Sequence, residues 1–248
     1  MKIGILGSGH IGKTLALKLA ATGHDVKVAN SRGPDTIDAA ALSTGARAVR
    51  KEEVVNDVEV LILSIPFAAI PALTPLLGDL PVETVVIDTS NYIPARDDRI
   101  EAIENGKTDS VWVTEQLGRP IAKAWNSIYS VTLQEMGRPG GHPDRIAAPI
   151  AADRARDREV TMALVEETGF DAFDTGPIAE SWRQQCGSPP YCTEITLAEL
   201  PEALAAADLA RSRRRTDLAF QVYGERFTLG QNPGRDFIVQ LSRLLNAP

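Results

Sequence analysis

The sequence predicts an α/β protein: an N-terminal doubly wound, mostly parallel sheet, followed by a smaller, mixed α/β, helix-rich C-terminal domain. Three observations predict it. A short apolar run at 2–6 passes through glycines into a helical pattern and then a second apolar run, which begins a βαβ unit. The runs "VEVLILSIP" at 58–66 and "ETVVIDTSN" at 83–91 suit strands buried on both faces of a parallel sheet. Past residue 126 the strand–helix alternation gives way to a Gly- and Pro-rich loop and longer helical stretches.

The elements follow in order. "KIGIL" at 2–6 is apolar and β-compatible. Ile11, Leu15 and Leu19 recur at helical spacing, and Gly23 ends that helix as its C-cap. "VKVA" is the second strand, and residues 34–44 read as a helix opened by Pro34. "ARAV" at 46–49 is a short third strand; the runs at 58–66 and 83–91 are the fourth and fifth. A helix covers 110–117, and "PIAKAWN" at 120–126 is the sixth strand. "EMGRPGGHPDR" at 135–145 is a loop, 146–153 a strand, "RDREVTMALVEETG" an amphipathic helix, and "FDAFDTGP" a further strand and turn. Residues 193–220 read as largely helical, as do 234–246. The boundary falls near residue 126, giving one domain at 1–126 and a second at 127–248.

Composition narrows the function. Of 248 residues, 44% are hydrophobic and 24% charged, ordinary for a soluble globular protein. A net charge of −7 argues against nucleic-acid binding, which needs cationic surface, and leaves room for a local basic pocket. Two cysteines, Cys186 and Cys192, are too few for a disulfide framework or a structural zinc site. No stretch approaches the ~20 apolar residues of a membrane helix, and the first apolar run ends in glycines, so a cytoplasmic location is expected.

"GSGHIG" at 7–12 carries the G-x-G-x-x-G spacing in a strand–turn–helix setting. Gly7 permits the tight turn, Gly9 lets backbone approach a pyrophosphate, and Gly12 allows close helix–strand packing. The pyrophosphate then meets free N–H groups at the helix start, around Ser8, His10 and Ile11. His10 shapes the turn or touches phosphate. This is the dinucleotide-binding signature of the Rossmann fold. The second strand ends in Asn30, Ser31 and Arg32, with no acid to bond a ribose 2′-OH. An arginine there attracts a 2′-phosphate that an acid would repel, so the expected cofactor is NADP(H).

Ligands collect at the carboxyl ends of strands in such sheets. Ser64, Ile65 and Pro66 end the fourth strand, Asn91 the fifth, and Trp125 and Asn126 the sixth. Ile65, Pro66, Asn91 and Asn126 are suitable types for an apolar shelf and hydrogen bonds around a nicotinamide. Trp125 either flanks a planar substrate or belongs to the core.

"KIGILGSGHIGKTLALKLAATGHDVKVANSRGP", "KAWNSI" and "GFDAFDTGPIAESWRQQ" resemble the F420-dependent NADP oxidoreductase family over most of the first 190 residues. The resemblance implies a Rossmann domain with a smaller C-terminal domain and a deazaflavin, coenzyme F420, in the cleft between them. It places Ser31 and Arg32 on the 2′-phosphate, and Ile65 and Pro66 beside the nicotinamide. The tail beyond about residue 195, with "RSRRRTDLAFQVYGERF" and a final helix, does not match that pattern.

The reaction expected is hydride transfer between NADPH and a second planar cofactor, which needs correct stacking and no protein nucleophile. No catalytic side chain and no metal site is assigned. Lys123 and Asn126 form a K-x-x-N spacing, so reduction of a carbonyl, imine or flavin, with Lys123 or Tyr92 as proton donor, is the alternative. An NADPH-sensing module without turnover is the non-enzyme alternative. The expected partners are a small-molecule acceptor and, by analogy, a second copy in a homodimer.

Overall fold

The structure, a computed structural model, describes residues 1–227 and 233–247. Among these residues eight strands form one sheet in the order β3-β2-β1-β4-β5-β6-β7-β8. They are β1 (Lys2–Leu6), β2 (Asp25–Ala29), β3 (Arg47–Ala48), β4 (Val60–Leu63), β5 (Val85–Asp88), β6 (Ala122–Lys123), β7 (Ala147–Ala152) and β8 (Asp171–Asp174). β1 to β6 run parallel, β7 is antiparallel to β6, and β8 is parallel to β7. The helices are α1 (His10–Ala21), α2 (Thr74–Leu77), α3 (Pro94–Asp97), α4 (Glu101–Glu104), α5 (Asp109–Leu117), α6 (Ser130–Glu135), α7 (Ala155–Glu167), α8 (Leu200–Ala205), α9 (Leu209–Arg226) and α10 (Arg235–Asn246).

Strand alternation builds two cores. Ile3, Ile5, Val60, Ile62, Val85 and Ile87 pack on one face against Leu15 and Leu19 of α1, Leu133 of α6, and Leu164 and Val165 of α7. Leu61, Leu63 and Val86 pack on the other against Phe67, Ile70, Trp112 and Val113. Phe67 stacks on Trp112 with ring centroids 5.0 Å apart. The apolar runs at 58–66 and 83–91 are therefore continuous because both of their faces are covered.

The structure corrects two local expectations. Residues 34–44 form two 3-10 turns, Pro34–Thr36 and Ala39–Leu42, not one helix. Ile37 is extended, and the Asp38 side chain accepts a hydrogen bond from Ala40 N, so a second turn starts afresh. The sixth strand is only Ala122–Lys123, because Trp125 takes a left-handed φ of 56° and turns the chain. Residues 193–220 are largely helical as expected, in two helices, and α9 begins where the Asp208 side chain accepts from Arg211 N. Across the boundary expected near residue 126 the sheet continues: β7 pairs with β6, so residues on both sides share one sheet.

Candidate functional site

The carboxyl ends of β1, β2 and β4 surround a cleft of about 850 Å³. That size lies within the ~300–1,000 Å³ of small-molecule and cofactor sites. It brings together Gly7, Ser8, Gly9, Asn30, Ser31, Arg32, Ser64, Ile65 and Pro66. Nine of the residues singled out in the sequence thus converge on one cavity.

The three glycines do three different things. A Cβ on Gly7 would lie 1.9 Å from Ser64 O, and its φ is +103°. A Cβ on Gly12 would lie 2.0 Å from Gly7 O, so that position seals α1 against the turn. A Cβ on Gly9 would meet nothing within 4 Å, so the space before Gly9 is free for a ligand's phosphates. Gly9 is the N-cap of α1 and no side chain caps that helix. The first N–H groups of α1 therefore lack intrahelical partners and present a positive end to an anion. The Ile11 side chain packs against the core, so its contribution is backbone alone. His10 is exposed at the head of α1, and its carbonyl accepts from Thr14 Oγ1 at 2.8 Å. A dinucleotide diphosphate fits this arrangement.

At the tip of β2, Asn30 has an organising role. Its Oδ1 accepts from Arg32 N and Gly33 N, each at 2.9 Å. Its Nδ2 donates to Ser8 Oγ and to Thr36 Oγ1, each at 3.0 Å. One side chain therefore ties the phosphate turn to the β2 loop. Ser31 and Arg32 are exposed beside it, and the Arg32 guanidinium has no ion-pair partner among the described residues. A free guanidinium at this position suits a ribose 2′-phosphate. Lys51 and Glu52, just beyond β3, line the same cleft. Sequence reasoning missed both, because they reach the cleft only through the pairing of β3 beside β2.

The strand ends further along behave differently. Asn91 is half-buried, and its Nδ2 donates to Asn126 O at 2.8 Å. Asn126 is buried; its Nδ2 donates to Asn91 Oδ1 at 3.1 Å and Gln184 O at 3.0 Å. Its Oδ1 accepts from Gln184 Nε2 at 3.0 Å. Asn126 thus braces the Asn91 loop against the C-terminal part and does not line the cleft. Of the two places open to Trp125, the structure shows the core and not the cleft: it is 1% exposed and donates from Nε1 to Thr168 Oγ1 at 3.1 Å. The left-handed turn at residue 125 swings the indole inward.

Both proton-donor candidates are committed elsewhere. Lys123 is 1% exposed and donates to Asp88 Oδ2 at 2.7 Å and Ser90 O at 2.5 Å. The Tyr92 hydroxyl donates to Glu104 Oε1 and accepts from Ile100 N, each at 3.0 Å, and its ring packs 5.6 Å from Phe67. Burial raises its pKa above the ordinary tyrosine value. Cys186 and Cys192 are buried free thiols, and burial pushes Cys186 up to about 12 and Cys192 higher still. Neither forms thiolate near neutral pH. Among the described residues no helix is long and apolar enough to cross a membrane, and no group of three His, Cys, Asp or Glu side chains is placed to hold a metal.

A mostly parallel Rossmann sheet with an open phosphate turn and a cationic second-strand tip defines a nicotinamide-dinucleotide oxidoreductase. The family model described as "NADP oxidoreductase coenzyme F420-dependent" matches residues 2–92. YjhV of Escherichia coli (strain K12) is 36% identical over 110 residues, 44% of this chain and 78% of that protein. The chain belongs to the F420-dependent NADP oxidoreductase family. Among solved structures, the hypothetical protein SMa0349 of Sinorhizobium meliloti superposes with a TM-score of 0.65 at 25% identity, covering 75% of this chain and 91% of that one. A protein named as an F420-dependent NADP-reductase from Arthrobacter sp. FB24 shares the fold at TM-score 0.56 and 19% identity, covering 73% and 87%.

Proposed function

We propose that the protein transfers hydride between NADPH and a second planar cofactor, with coenzyme F420 the acceptor its family membership favours. NADPH supplies the hydride in this reading. The chain's own residues orient and shield. Gly9 and the head of α1 hold the diphosphate, Arg32 and Ser31 hold the 2′-phosphate, and Ile65 and Pro66 give the nicotinamide an apolar shelf. Asn91, braced by Asn126, fixes the loop at the end of β5.

The observation that carries the reading is the engagement of Lys123 and Tyr92. A carbonyl reductase needs an acid within reach of the nascent alkoxide. Here Lys123 is held by Asp88 and Ser90, and Tyr92 by Glu104 and Ile100. Hydride passing between two rings needs no such donor; it needs near-attack contact and exclusion of water. The experiment is to mix the purified protein with NADPH and, separately, F420, FMN and a panel of small carbonyls and imines, following NADPH absorbance. Rapid loss with F420, and none with FMN or the small substrates, is the expected result. Turnover confined to FMN, carbonyls or imines overturns the reading, and no turnover with any acceptor favours a sensing module. A homodimer is proposed on the same footing, and light scattering should then give about twice the 26.7 kDa chain mass.

A further inference from the structure

We propose that Lys51 is a second, specificity-determining cation for the ribose 2′-phosphate, and that Glu52 occupies it until the phosphate arrives. The placement comes from strand register. β3 lies parallel to β2 with Ala48 beside Val28, and Val49 N donates to Val28 O at 3.0 Å. Lys51 follows Ala48 by three residues, as Ser31 follows Val28, so both lie just past paired strand ends. The cleft shows the result: Lys51 and Glu52 line it together with Asn30, Ser31 and Arg32. Arg32 thus approaches the phosphate position from the end of β2, and Lys51 from the end of the neighbouring strand.

The charge arrangement explains why the effect is specific. Lys51 Nζ is 3.8 Å from Glu52 Oε1, with the two side chains 61% and 62% exposed. An exposed pair at that distance is weak and readily exchanged. A phosphate monoester carries about two negative charges near pH 7 and outcompetes one carboxylate for the ammonium. A plain ribose hydroxyl offers no such charge, so with NADH Lys51 stays with Glu52. The pair therefore adds discrimination and little general affinity.

This inference rests on the adenosine ribose lying at the β2 tip, so the test uses fragments that separate the two claims. Calorimetry would measure 2′,5′-ADP, which carries the 2′-phosphate without nicotinamide, against 5′-ADP, for the wild type, Lys51→Ala, Glu52→Gln and the double variant. The wild type should prefer 2′,5′-ADP. Lys51→Ala should weaken 2′,5′-ADP about 5- to 10-fold and leave 5′-ADP unchanged. Glu52→Gln should tighten 2′,5′-ADP about twofold, and that gain should vanish in the double variant. All differences should shrink as salt rises, because the groups are exposed. A wild type without preference for 2′,5′-ADP overturns the placing of the ribose and this inference together. A wild type that prefers it while Lys51→Ala binds it equally well overturns the role of Lys51 alone. Both side chains are on the surface, so an unchanged melting temperature is expected for each variant.

Discussion

Lys123 and Asp88 face each other in register across β6 and β5, with Nζ 2.7 Å from Oδ2 and both side chains at most 2% exposed. Alternation explains the meeting: Ala122 and Ala124 point to the α1 face, so Lys123 points to the opposite one. Such a pair contributes little net stability, yet breaking it strands a buried charge. Lys123→Met should cost about 3–5 kcal/mol in urea unfolding. Adding Asp88→Leu should recover most of that loss. Turnover with NADPH, measured well below the melting temperature, should persist within a few-fold in Lys123→Met. Complete loss of turnover with NADPH affinity intact would show a proton-donating lysine.

Arg32 and Asn30 should separate by cofactor. Arg32→Ala removes a charge-assisted contact, so NADPH affinity should fall about 10- to 100-fold while NADH affinity changes little. Asn30→Ala unties the Ser8 turn from the β2 loop and should weaken both nucleotides. Fluorescence titration of both cofactors checks this; equal losses for Arg32→Ala would contradict the phosphate assignment.

Gly9 and Gly12 should also part ways. Gly9→Ala meets open space, so melting temperature should hold while nucleotide affinity drops. Gly12→Ala drives a Cβ to 2.0 Å from a backbone oxygen, so the fold itself should suffer. Thermal melts with and without NADPH distinguish the two.

Asp109 predicts a pH dependence. Burial raises it from 3.8 to about 6, and Tyr92 N donates to it only at 3.4 Å. The folded protein therefore holds this proton more tightly than the unfolded chain. Stability from this group is fully present below about pH 4 and falls as pH rises to about 6, by roughly 3 kcal/mol. Asp109→Asn should be more stable than wild type above pH 6, with an advantage that shrinks toward pH 4. A difference that stays flat from pH 4 to 7, measured by urea unfolding, would refute it.

How much of this was legible in the sequence depended on whether the signal was local. The apolar runs of β4 and β5 and the glycine spacing at 7–12 announce themselves because burial on two faces and close backbone approach leave few residue choices. Trp125 was ambiguous because its fate hangs on one left-handed φ that no neighbouring residue signals. Asn126 looked like a ligand because a strand-end asparagine suits one; its partner Gln184 is distant in sequence. The break in 34–44 lay in Asp38, whose short side chain restarts the turn. Lys51 was invisible until β3 was placed beside β2.

The most direct measurement follows deuterium from NADPH labelled at nicotinamide C4 into F420, by mass spectrometry of the reduced product. The account predicts that label reaches the acceptor ring without loss to water, in the wild type and in Lys123→Met alike. Reduction of a small carbonyl in preference to F420, abolished by Lys123→Met, would contradict it.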